Sequence, residues 1–140
     1  MNEKIENLLP QREPFLFLDE IIFADPGEII GVKEYDDTFP YYQDVALAGK
    51  AVPGVILLES LIQCGGGGTA LLGRFKKILW GLAAVEKVSF SGTVTRGNTV
   101  TMTVKNLKLS RRILKQTGTA SVDGKTVLTA TWLCVKLEER

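Results

Sequence analysis

Residues 53–68 read Pro53-Gly54-Val55-Ile56-Leu57-Leu58-Glu59-Ser60-Leu61-Ile62-Gln63-Cys64-Gly65-Gly66-Gly67-Gly68, and the fold turns on whether this stretch is one helix. Proline is favourable in the first turn of a helix, where its missing N–H costs nothing. From Val55 to Cys64 apolar residues fall on every face, which predicts a helix buried all round rather than an amphipathic one. Four consecutive glycines then oppose it, at roughly 1 kcal/mol each against alanine in a helix interior. Either the helix ends near Cys64, or packing carries it through because a neighbour comes too close for any Cβ. The segment TALLGRFKK that follows has helical character again.

One charge interrupts the apolar run. Glu59 lies among Ile56, Leu57, Leu58, Leu61 and Ile62, with no easy route to water. Desolvation raises a carboxyl pKa and poises it as a general acid or base. Gln63, at i+4 on the same face, is in reach to hydrogen-bond it. The alternative is a buried Glu satisfied by Lys, Arg or a backbone amide; the rarity of buried Glu outside pairs and functional sites favours a functional role. Gly54 offers a helix-start N–H with no side chain in the way, suited to a carbonyl oxygen gaining negative charge, although glycine is also common at a helix start.

The flanks are mostly β. Residues 3–9 read as a short helix stopped by Pro10. Residues 14–23 form a β-rich run, Asp25-Pro26-Gly27 a turn, and residues 28–35 a returning strand. Residues 36–52 lack periodicity and read as a long loop, of a kind that is often functional. Residues 79–90 predict a strand and Thr95-Arg96-Gly97-Asn98 a turn. Residues 99–109 alternate with period two until the phase slips near Asn106, which predicts a bulge. Residues 113–122 and 126–137 flank Asp123-Gly124, a type I′ hairpin signal. One buried helix with five or six mostly antiparallel strands is an α+β pattern, and 140 residues make one domain, 1–140.

Composition excludes whole classes of chemistry. The chain has no histidine, so Ser-His triads, Cys-His dyads and His-ligated zinc are ruled out. Cys64 and Cys134 have no metal-ligand spacing and read as buried thiols of a reducing cytoplasm. No metal or cofactor is expected. The N-terminus does not read as a signal peptide, and no run reaches 18 uninterrupted apolar residues, so no membrane span is expected. The net charge of +1 hides a gradient: residues 1–59 carry 4 basic and 12 acidic side chains, residues 60–122 carry 10 basic and 1 acidic. This suits an anion-attracting face or complementary surfaces in an oligomer, or else a solvated surface whose halves neutralise each other. Nucleic acid is a weaker fit, because no aromatic–basic interleaving accompanies the cations.

Three stretches carry a resemblance. Leu8-Leu9-Pro10-Gln11-Arg12-Glu13-Pro14-Phe15-Leu16 resembles the LLPHRxPFL opening of bacterial 3-hydroxyacyl-acyl-carrier-protein dehydratases of fatty acid synthesis. Residues Pro53 to Gln63 resemble that family's central-helix motif PGVLxLEAMAQ, and Val122-Asp123-Gly124-Lys125 its last hairpin. The resemblance implies a hot-dog fold, an antiparallel sheet wrapped around one long helix. It implies a dimer with the active site at the subunit interface, often within a trimer of dimers, acting on 3-hydroxyacyl thioesters of an acyl carrier protein. A histidine of one subunit moves the C2 proton, the facing subunit's Glu handles the departing hydroxyl, and a helix-start amide polarises the thioester carbonyl. By position the resemblance implies that Glu59 is the catalytic carboxylate, and Gly54 and Gln63 are the expected substrate-binding residues.

The departures are as informative. Val45 stands where the catalytic histidine falls, and Gln11 replaces the other motif histidine. The family's FKRPVxPGD strand motif has become Phe90-Ser91-Gly92-Thr93-Val94-Thr95-Arg96-Gly97-Asn98. Three readings follow: a member with lost or altered catalysis that binds acyl thioesters, on carrier protein or coenzyme A, or completes a heterodimer with a catalytic homologue; a dehydratase with a substitute base, Asp44 first and Tyr41, Tyr42 or Lys50 behind it; or a hot-dog thioesterase using Glu59 or Asp44. Acyl carrier proteins are acidic, so Arg74, Lys76, Lys77 or the Arg111-Arg112-Lys115 cluster is expected to steer one to the pocket.

Overall fold

In the computed structural model, residues 4–73 and 75–140 are described. Six strands form one antiparallel sheet: β1 (Glu20–Ala24), β2 (Glu28–Glu34), β5 (Ile78–Phe90), β6 (Thr99–Leu109), β7 (Ile113–Val122) and β8 (Lys125–Glu139), in the order β1-β2-β6-β7-β8-β5. Helix α1 (Gly54–Leu71) packs against all six, and this is the hot-dog arrangement. By length and composition α1 could cross a membrane, but it is the core helix here. Val100, Met102 and Val104 on β6 alternate inward and are fully buried. The register slips between Asn106 and Lys108, where the bulge was expected. Asp123 and Gly124 both take positive φ, as a type I′ hairpin demands.

The helix runs through its glycines, and close packing is the reason. A Cβ on Gly65 would lie 2.2 Å from Gln116 Oε1, and one on Gly68 only 2.3 Å from Ile29 Cγ2. Gln116 sits against the helix because its amide is fully used: the two Nε2 hydrogens are shared among Asn106 Oδ1 at 2.8 Å and the Gly65 carbonyl and Thr69 Oγ1, each at 3.2 Å, and Oε1 accepts from Trp132 Nε1 at 3.0 Å. This buried polar group is satisfied, which is what permits it in the core.

Four expectations need correction. The helix is not buried all round: Leu57, Leu61 and Cys64 face the sheet, whereas Val55 is 70% exposed and Ile56, Leu58, Glu59, Ile62 and Gly66 are half-buried, because no strand covers that side. Residues 14–19 are not a strand. Side chains of α1 take up backbone groups of Phe15 and Phe17 instead, with Ser60 Oγ donating to the Phe17 carbonyl at 2.5 Å and Gln63 bound to both residues. The N-terminal helix is a single 3-10 turn, Ile5–Asn7, and residue 3 lies outside the described residues. The stretch 36–52 is not all loop, since it folds a small hairpin, β3 (Gln43–Val45) and β4 (Gly49–Ala51).

Candidate active site

The site is built on the side of α1 that the sheet leaves open. Gly54 begins the helix, and the first intrahelical bonds run from the Ile56 and Leu57 amides to the Pro53 carbonyl, at 3.0 and 3.2 Å. The Gly54 and Val55 amides therefore precede the ladder, and no side chain caps this end. Phe90 lies over it; a Cβ at position 54 would approach its ring to 2.9 Å. Glycine thus lets an aromatic ring and a free amide share the helix start.

Glu59 follows more than one turn later and is half-buried. Burial raises its pKa, and a hydrogen bond from Gln63 partly offsets that rise. Gln63 Nε2 donates to Glu59 Oε1 at 3.2 Å and to the Phe15 carbonyl at 2.9 Å, while Gln63 Oε1 accepts from the Phe17 amide at 2.8 Å. One buried amide thereby ties the carboxylate to the N-terminal segment.

Two cavities meet at Glu59. An outer apolar groove of about 450 Å³ runs along Phe15, Phe17, Val55, Ile56 and Leu58. An inner cavity of about 130 Å³ continues beside Gly66, Ala70, Phe75, Ile78, Trp80 and Cys134. Gln11, Glu59, Ile62 and Leu82 line both. The Cys134 thiol is pushed up to about 11, first by burial and then by the Glu59 charge. Both cysteines are free and buried, and burial pushes Cys64 up to about 12. Among the described residues no cluster of carboxylates and thiols could hold a metal.

The residues before the helix stand apart from this pair of cavities. Val45 lies on β3, 43% exposed, and lines neither cavity around Glu59. Asp44 is next to it, but successive side chains of a strand point to opposite faces. Its carboxylate pairs across the hairpin with Lys50 at 2.6 Å. Tyr42 gives its hydroxyl to the Asp36 carbonyl at 2.8 Å, and Tyr41 stacks on Phe15 at 5.4 Å between ring centroids. Within one chain, then, Glu59, Gln63 and Gln11 come together, with Gly54 at the start of the same helix, and the substitute bases do not join them. Trp80, Leu82 and Cys134 join the site without any signal in the sequence. Gln11 was visible only as a replaced motif position.

The chain is similar throughout to one family. The FabA-like domain matches residues 9–131. The 3-hydroxyacyl-[acyl-carrier-protein] dehydratase FabZ of Ruminiclostridium cellulolyticum is 34% identical over 125 residues, covering 89% of this chain and 88% of that protein. FabZ of Yersinia enterocolitica is 33% identical over 138 residues, covering 96% and 82%. Among solved structures, the dehydratase heterocomplex ApeI:P of Xenorhabdus doucetiae superposes with a TM-score of 0.86 at 16% identity, over 99% of this chain and 93% of that one. A hypothetical thioesterase with coenzyme A from Streptococcus pneumoniae gives 0.66 at 12% identity, over 86% and 87%. At these identities the structures speak for the fold alone.

Proposed function

Because the chain belongs to the FabA-like family of 3-hydroxyacyl-[acyl-carrier-protein] dehydratases, we propose that it supplies the carboxylate half of a dehydratase site whose imidazole comes from a histidine-bearing homologue in a heterodimer. The observation that carries this reading is the pairing of a shielded, cavity-lining Glu59 with a chain that has no histidine. The partner's imidazole takes the C2 proton of a 3-hydroxyacyl thioester, the electron pair forms the C2–C3 double bond, and the C3–O bond breaks. Protonated Glu59 gives its proton to the departing hydroxyl, which leaves as water, and the raised pKa suits that acid role. The Gly54 N–H receives the thioester carbonyl oxygen as it gains charge. Gln63 fixes the Glu59 carboxylate and orders Phe15 and Phe17 along the groove.

The surface supports a dimer. Strand β5 is a sheet edge 13 residues long, with Leu82, Val88 and Phe90 exposed along it. A long apolar edge is a template for another chain. Leu82 borders both cavities, so a homologue seated on β5 reaches the Glu59 groove. Reconstitution tests this: the purified chain alone is expected to show no hydration of crotonyl thioester, and addition of a histidine-bearing homologue from the same organism to give activity above that of the homologue alone. A fully active homologue indifferent to this chain sinks the proposal. Release of free thiol from acyl thioesters instead would make the chain a hydrolase.

An acidic acyl carrier protein fits the cationic side, in the cytoplasm where the family's chemistry runs. Lys76 and Lys77 line a cleft of about 160 Å³ that shares Leu8, Leu9, Pro10, Ile78 and Leu79 with the inner cavity; Arg12 and Arg140 line it too, each paired with a carboxylate, Glu6 at 4.0 Å and Glu138 at 3.8 Å. Arg111 is engaged by Glu139, and Lys115 by Glu86 at 3.3 Å, which leaves that cluster partly neutralised. Arg74 lies outside the described residues. Reversal of Lys76 and Lys77 to Glu is expected to weaken carrier binding about tenfold at low salt and to flatten its salt dependence. Unchanged binding by titration calorimetry counts against this docking face.

A further inference from the structure

Of the four consecutive glycines in α1, three are explained by the protein itself and one is not. A Cβ on Gly65 or Gly68 would collide with Gln116 or Ile29, and one on Gly67 would press on Leu18 Cδ2 at 3.1 Å. At Gly66 a Cβ would meet only Leu9 Cδ2, at 3.5 Å, an ordinary contact. Glycine weakens a helix interior relative to alanine, so a glycine that no neighbour requires points to space with another use. That space is the inner cavity. Gly66 is half-buried and lines it, two turns beyond Glu59 and about 10 Å further along the helix axis. Ile62 and Ala70 lie one turn to either side on the same face and line it too. Phe75, Ile78 and Trp80 line the inner cavity but not the outer groove, so the wall beyond Glu59 is largely apolar.

We propose that the tail of the acyl chain lies in the inner cavity and that Gly66 is the specificity-determining position for its length. The assignment rests on the reading of Glu59 as the acid that serves the 3-hydroxyl. With C3 held at Glu59, where the two cavities meet, the tail runs into one cavity and the pantetheine arm into the other. Size and chemistry separate them. An engineered apolar cavity of about 150 Å³ holds a six-carbon ring. The inner cavity, at about 130 Å³, therefore has room for about five or six carbons. The arm is larger, and its two amides find no partners on Phe75, Ile78 and Trp80; it belongs in the groove of about 450 Å³. A tail that reaches Gly66 occupies the place of the missing side chain, so each carbon added at position 66 displaces about one carbon of ligand.

The test compares butyryl-pantetheine and decanoyl-pantetheine, titrated into the reconstituted complex. The butyryl chain ends one carbon past C3 and does not reach Gly66, whereas the decanoyl chain fills the cavity. A buried methylene is worth about fourfold in affinity, so the parent is expected to favour decanoyl by at least about 100-fold. Gly66→Ala is expected to weaken decanoyl about fourfold and Gly66→Val about fiftyfold, with butyryl within about twofold in both. Gly66→Ala is also expected to melt above the parent, because it gains helix propensity, which separates its loss of affinity from loss of fold. A parent that binds both ligands equally, or a decanoyl affinity that Gly66→Val leaves unchanged, overturns the Gly66 assignment and leaves the site reading intact. An equal loss for both ligands does the same, since it places the shared arm beside Gly66. No binding of either ligand to the parent complex overturns both.

Discussion

Glu59→Gln, in a complex with a histidine-bearing homologue, is expected to cut dehydration of a 3-hydroxyacyl thioester by about 10²–10⁴-fold, the span of a general acid–base contribution. The informative half of the experiment is the mirror variant. A mixed dimer whose sites each join one chain's imidazole to the other chain's carboxylate has one complete site. That site holds the homologue's histidine and Glu59. The other holds Val45 opposite the homologue's own helix carboxylate, and cannot move the C2 proton. Replacement of the homologue's carboxylate by the corresponding amide is therefore expected to leave activity of the mixed dimer within about twofold, while it abolishes activity of the homologue alone. A mixed dimer that tolerates Glu59→Gln and loses activity through the homologue's variant sinks the half-site proposal. Loss of fold is separable from loss of function by pH. Burial raises the Glu59 pKa above its ordinary value of 4.5. The folded state thus binds this proton more tightly than the unfolded chain, and that contribution to stability is present at low pH and lost as pH rises through the folded pKa. The amide does not titrate. Glu59→Gln is accordingly expected to be as stable as the parent near pH 4 and slightly more stable at pH 7–8, by less than about 1 kcal/mol because the carboxyl is only partly shielded. Thermal melts across that range check the sign.

The carboxylate was legible because a single charge in an apolar helical run has few physical explanations. The strands with many residues and a strong turn signal were legible for a similar reason: period-two alternation in β6 and Asp123-Gly124 between β7 and β8 are local patterns that survive folding. Strands β3 and β4 were not, because three residues give too little alternation to detect. The segment 14–19 misled because its apolar residues and β propensity suit a ladder, while backbone groups of Phe15 and Phe17 bond the side chains of Ser60 and Gln63, 43 to 48 residues away. The course of the helix through Gly65–Gly68 could not be decided locally: propensity votes against it, and the packing that overrides propensity comes from Ile29 and Gln116, on strands β2 and β7. Gln11 was visible as a substitution, but its place beside Glu59 is a property of the fold.

Three of the four glycines, Gly65, Gly66 and Gly68, are expected to respond to alanine in opposite senses, although all lie in one helix. Gly66 faces the inner cavity, and a Cβ there meets only Leu9 Cδ2, at 3.5 Å, an ordinary contact. Gly66→Ala gains helix propensity of about 1 kcal/mol with no steric cost, and a rise in melting temperature is expected together with a slightly smaller cavity. At Gly68 the same propensity gain is outweighed. Three atoms of Ile29 lie between 2.3 and 2.7 Å from the new Cβ, and Ile29 is fully buried between the helix and the sheet. Its branched side chain has little freedom to yield, so overpacking of about 1–3 kcal/mol or more is expected. At Gly65 the Cβ lands 2.2 Å from Gln116 Oε1 and 3.1 Å from Trp132 Cζ2. Relief requires the Gln116 amide to turn away, which breaks its bonds to Trp132, Asn106 and the helix. Leaving such buried groups unpaired costs about 1–3 kcal/mol apiece, so Gly65→Ala is expected to be the most damaging of the three. Urea unfolding of the three variants orders them: Gly66→Ala above the parent, Gly68→Ala below it, Gly65→Ala lowest. Equal effects at positions 65, 66 and 68 would mean that the glycines serve flexibility of the helix, not the close approach of Ile29 and Gln116.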